Sequence, residues 1–139
     1  MNAPDPAREV QDRVRRVVDA ALDRKALDLR VLGLEGVCDF ADYFVICSGA
    51  SGRQVAAIAD GVGDRLIAHR AKPLHVEGKR ASRWILMDYG DFLVHVFDPE
   101  RRAHFRLEEM WSDALDLTDL FVDSETGAGI EEDRSQQGK

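Results

Sequence analysis

At 139 residues, with 45% apolar and 32% charged side chains, the chain fits one soluble domain around a single core and leaves no room for two packed domains. No run approaches the roughly 20 apolar residues of a membrane-spanning helix, and the segment Met1 to Pro6 has neither a basic nor an apolar leader region, so a cytoplasmic location without membrane contact is expected. The net charge of −7 sits mostly in residues 112–139, which hold eight acidic and two basic side chains; without a basic patch, little direct nucleic-acid binding is expected.

From Glu9 to Lys25, Val10, Val14, Val17, Val18 and Ala21 recur at helical spacing between charged residues, which predicts an amphipathic first helix. Asp28 to Leu34 switches to short apolar alternation and reads as a strand, with Gly33 and Gly36 marking bends. Tyr43 to Cys47 is a β-branched and aromatic run suited to a buried strand. Cys38 and Cys47 are too few for a disulfide framework and lack CxxC spacing, so both read as reduced, buried thiols.

Ser51 with Gln54 three residues later matches a capping box, and Val55, Ile58, Ala59, Val62 and Leu66 then extend a second helix to about Arg70. Pro73 to Glu77, Trp84 to Tyr89 and Phe92 to Phe97 read as three further strands, the last two joined by Gly90-Asp91 in an antiparallel hairpin. Asp98-Pro99 supplies a cap and a first-turn proline for a short third helix, continuous or broken. The pattern implies an α/β domain, a mixed five-stranded sheet with helices on its faces. Its expected bounds are 9–115, after a flexible N-terminus at 1–8 and before an acidic, largely disordered tail at 116–139, where apolar residues thin out beyond Asp123.

Three chemistries find only fragments of a site. Gly49-Ala50-Ser51-Gly52 lies in strand-turn-helix context, but Arg53 stands where a nucleophile elbow needs glycine and no Gly-Lys-Ser/Thr ending makes it a P-loop. No Asp-x-Asp occurs to hold catalytic metal ions, and Asp98 and Glu100 flank a helix start that favours acidic groups. His69, His75, His95 and His104 form no HxxxH pair, and His95, in an apolar strand, reads as a hydrogen-bonded core or interface residue. No catalytic residue, metal site or cofactor is assigned.

The segment from Glu77 to Asp91 combines charge with two large aromatic groups. In a strand, Trp84, Leu86 and Asp88 share one face and Ile85, Met87 and Tyr89 the other. One face packs on a helix, and the other can present an apolar center ringed by charge, as at a protein interface. The alternative places both Trp84 and Tyr89 in the core, since large aromatics are often only partly buried.

Asp42-Tyr43-Phe44-Val45-Ile46, Ser51-Gly52-Arg53-Gln54-Val55, Glu77-Gly78, Trp84 to Asp91, Val94-His95-Val96-Phe97 and Leu107-Glu108 through Trp111 together resemble the Iojap or ribosomal silencing factor family over about residues 9–115. The resemblance implies a nucleotidyltransferase-like fold without catalytic carboxylates and a non-enzymatic protein. It implies binding to the large ribosomal subunit through ribosomal protein fourteen, which blocks joining of the small subunit and represses translation. By position it places Trp84, Asp88, Tyr89 and Asp91 at the partner-binding surface, with Glu77, Lys79 and Arg102 as neighbours. Phe105 stands where the family usually has tyrosine, which keeps apolar volume and loses a hydroxyl. A homodimer through an apolar sheet edge or helix face is compatible with the pattern. The competing function is a nucleotide-binding or nucleotidyltransferase-like enzyme acting through residues 48–54.

Overall fold

The computed structural model describes residues 5–122. The first helix, α1 (Pro6–Asp23), begins before the apolar periodicity does: the Asp5 side chain accepts the Ala7 backbone N–H at 3.1 Å and Pro6 takes the first helical position. Residues 6–8 are therefore helical, in place of the flexible lead expected for 1–8. Strands β1 (Leu27–Gly33) and β2 (Tyr43–Ser48) follow, then α2 (Gly52–Ala68), β3 (His75–Glu77), β4 (Trp84–Asp88) and β5 (Phe92–Phe97). The chain goes on through α3 (Pro99–Phe105), α4 (Leu107–Met110), β6 (Leu115–Asp116) and α5 (Thr118–Phe121). The third helix is broken because Arg106 adopts left-handed backbone angles (φ 50°, ψ 51°), which an α-helix cannot continue through.

The α/β class holds, with a correction: the sheet has six strands, not five, in the order β3-β4-β5-β2-β1-β6. Among them β2 and β5 run parallel, and the other neighbours are antiparallel. The added strand β6 pairs Leu115 and Asp116 with Gly33 and Leu32. Two exposed residues are too short a run to show strand alternation, so β6 left no signal in the sequence. The fold also continues beyond the expected boundary at 115. Thr118 Oγ1 accepts the Val31 N–H at 3.0 Å, the Leu117 N–H reaches the Val31 carbonyl at 2.8 Å, and Phe121 is buried with its ring 5.8 Å edge-on from Tyr43. The part of the tail expected disordered at 123–139 lies outside the described residues.

Strand alternation sorts the core into two layers. Val31, Val45, Cys47, Ile85, Met87, Phe92, Val94 and Val96 face one side, where Val14, Val17 and Val18 of α1 and Val55, Ile58, Val62 and Leu66 of α2 pack on them. Leu32, Phe44, Ile46 and Phe97 face the other side, met by Leu34, Ala41 and Leu107 and edged by the partly buried Trp84, Leu93, Phe105 and Trp111. Long helices thus cover one face, and only the short α3 and α4 lie over the second. One glycine shapes how β4 begins: Gly78 has φ +87° and a Cβ there would fall 2.0 Å from the Trp84 carbonyl oxygen.

Candidate functional site

The lightly covered face carries an aromatic strip. Trp84 starts β4, Phe97 is its partner in β5, and their rings stack at 4.8 Å between centroids. Phe105, at the end of α3, lies 4.6 Å from Trp84. His95, one alternation back along β5, is edge-on to Phe44 of β2 at 4.8 Å, and Phe44 is edge-on to Trp111 at 5.5 Å. Phe40 closes the far end, 6.0 Å from Trp111, and is 59% exposed. Met110 beside Trp111 in sequence is also exposed.

His95 is buried, and its Nδ1 accepts the Trp84 indole N–H at 3.2 Å. Its Nε2 is buried without a partner among the described residues. Burial alone pushes its pKa down to about 4, so the ring is neutral at physiological pH. This agrees with the sequence expectation of a hydrogen-bonded core or interface histidine.

α3 is held against this face by two ion-pair groups. The Arg102 guanidinium, largely buried, donates to Glu108 at 2.6 and 2.9 Å and to Ser48 Oγ at 3.0 Å. Arg83 pairs with Asp98 at 3.0 Å and with Glu100, and Asp98 also caps α3 by accepting the Arg101 N–H at 2.7 Å. Slight burial raises the Asp98 pKa, but the hydrogen bonds from Arg101 and Arg83 outweigh it and hold the carboxyl below its ordinary range.

The residues assigned by resemblance fall into separate places. Trp84 and Phe105 meet on the aromatic strip, and Arg102 lies behind it, occupied by Glu108 and Ser48. Asp88 sits at the opposite end of β4, where it accepts the Gly90 N–H at 2.8 Å and shapes the hairpin turn. Tyr89 is buried on the helix-covered face and stacks on Phe92 at 5.0 Å, and burial raises its phenol pKa to about 12. It does not share a surface with Trp84. Asp91 is exposed beside the start of α1, Lys79 pairs with Asp60 of α2 at 3.7 Å, and Glu77 pairs with His75 on the β3 edge at 2.7 Å. Sequence reasoning did not place Phe44, Phe97, Trp111 and Phe40 at the site. Tyr43–Cys47 and Phe92–Phe97 were each legible as strands, but the parallel pairing that brings Phe44, His95 and Phe97 onto one face was not.

The loop 48–54 is spent on structure. Ser51 Oγ accepts the Gln54 N–H at 3.2 Å, as expected of a cap, while the Gln54 side chain accepts the Ala50 N–H at 2.7 Å and donates to the Arg24 and Lys25 carbonyls. Among the described residues, no group of three or more His, Cys, Asp or Glu is placed to hold a metal ion. Cys47 is fully buried and its thiol is pushed up to about 12 by burial.

Residues 7–139 match the family model described as ribosomal silencing factor during starvation. The chain belongs to the ribosomal silencing factor family. The ribosomal silencing factor of Bacillus subtilis is 40% identical over 79% of this chain and 93% of its own length. A mouse protein named for mitochondrial assembly of the ribosomal large subunit is 31% identical, over 69% of this chain and 43% of its own. Among solved structures, a Chromobacterium violaceum protein superposes with a TM-score of 0.72 at 28% identity, covering 73% of this chain and 85% of that one. The α/β fold is thus one that relatives of this silencing factor share.

Proposed function

We propose that this silencing factor binds the large ribosomal subunit through ribosomal protein fourteen and, by occupying that surface, keeps the small subunit from joining. The observation that carries the reading is the aromatic strip: Trp84 and Phe105 lie together, half-buried, on the sheet face that only short helices cover. Protein interfaces concentrate binding energy in such aromatic anchors within a polar rim. Charges of both signs flank Phe105 and Trp111 in sequence, Glu100, Arg101, Arg106 and Glu109, and the whole chain is acidic, which favours a protein partner over a phosphate backbone. The name of the mouse relative supports the large subunit as the target. Steric occlusion asks no bond to be made or broken, and the protein would act in the cytoplasm, where ribosomes are. No helix among the described residues is long and apolar enough to cross a membrane.

The test is sucrose-gradient sedimentation of the pure protein with separated subunits. Wild type is expected to travel with the large subunit and, in excess, to shift complete ribosomes toward free subunits. Co-sedimentation with the small subunit alone, or unaltered subunit joining at saturating occupancy, would overturn the reading. Crosslinking from position 84 identifies the partner protein, and a crosslink to a large-subunit protein other than the fourteenth would overturn that part alone.

A further inference from the structure

The aromatic strip contains one polar pair, and its geometry is directional. An indole N–H can only donate, so the Trp84 bond at 3.2 Å requires the His95 Nδ1 to be an unprotonated acceptor and places the ring proton of neutral His95 on Nε2. That second nitrogen is buried and unmatched among the described residues, a destabilising state for a polar group. An apolar side chain at position 95 would avoid this cost and still fill the space between Phe44 and Phe97. The histidine is thus explained by its other nitrogen.

Stacking on Phe97 and contact with Phe105 set where the indole lies, but stacked rings slide and rotate easily. The hydrogen bond to a ring that is itself locked, edge-on to Phe44 and stacked over Phe97, fixes which edge of the indole turns inward. We propose that His95 is a positioning residue for docking: its Nδ1 holds the Trp84 indole in one orientation, so that Trp84 meets its protein partner already ordered. Ordering a large side chain before contact removes part of the entropy cost of association. The inference rests on the docking role of Trp84 and adds the residue that sets its pose.

The experiment follows the Trp84 indole N–H by proton-nitrogen NMR in the full chain and, in parallel, measures binding to isolated large subunits. In wild type the Trp84 indole proton exchanges slowly with solvent. In His95→Leu exchange accelerates tenfold or more and subunit affinity falls about tenfold, whereas His95→Gln, whose side-chain oxygen can accept the same bond, stays within threefold of wild type on both. Trp84→Phe, which keeps the stacking ring without the N–H, falls as far as His95→Leu, and the two together lose no more than either alone. Rapid exchange of the wild-type indole proton overturns the proposal whether or not any variant folds. A folded His95→Leu with unchanged affinity, or a folded His95→Gln as impaired as His95→Leu, also overturns it. Failure of wild type to bind large subunits defeats the docking reading, and with it the consequence for affinity; unchanged indole protection in His95→Leu defeats the positioning alone.

Discussion

Trp84 and Tyr89, five positions apart on one strand and turn, lie on opposite faces of the sheet. Trp84→Ala should lower large-subunit binding by more than about 1–2 kcal/mol, roughly tenfold or more, while circular dichroism shows the fold intact. Tyr89→Ala should instead cost about 3 kcal/mol or more of folding stability in urea, since it empties space against Phe92 and the helices, and leave the affinity of the remaining folded protein nearly unchanged. The reverse pattern would mean that the docking face is the other one. His95 adds a pH signature. Free histidine titrates near 6.5 and His95 near 4, so between these values the unfolded chain holds a proton that the folded chain does not. Stability from this group is complete above about 6.5 and is lost as pH falls toward about 4. Urea titrations across that window should show a steeper decline for wild type than for His95→Leu, and equal slopes would refute the assignment.

Among the elements, those announced by their own residues were legible in the sequence. β5 runs from Phe92 to Phe97, the bounds its apolar run set, and α2 starts after Ser51 as the cap requires. The opening of α1 was missed because Asp5, Pro6, Ala7 and Arg8 supply a cap and a first turn without an apolar stripe. β6 was missed because its hydrogen bonds come from β1, a partner far away in the chain. The site was half legible for the same reason: Trp84 and its face could be read from one strand, while Phe44 and Phe97 join it only through the parallel β2–β5 pair. Between elements, Arg102 is one of the two ion-pair ties that hold α3 to the sheet and the one that also engages α4. Arg102→Met should leave the sheet folded but speed limited proteolysis at 99–114, because Glu108 and Ser48 lose their shared donor; unchanged cleavage there would show that apolar contacts suffice. Gly78→Ala should destabilise the start of β4 through both its φ of +87° and the clash with the Trp84 carbonyl, read as a lower urea midpoint.

For the whole molecule, the residues after Leu115 separate two expectations. A chain ending at Val122 retains β6, α5 and the buried Phe121, and one ending at Ala114 loses all three. The shorter chain should melt several degrees below the longer one, because it uncovers the α1 side of β1 and leaves the Val31 N–H without Thr118. Equal melting temperatures would show that the domain does end near 115. A homodimer built by joining sheet edges has little to work with, since β3 offers three residues and β6 two. The strip itself has a consequence in time. Its side chains run from Phe40 to Trp111, and the central β2–β5 pairing joins segments separated by all of α2, β3 and β4. Domains generally fold as units as they leave the ribosome. The strip is therefore completed only after nearly the whole chain has emerged, and no shorter nascent segment carries all of its rings on one face.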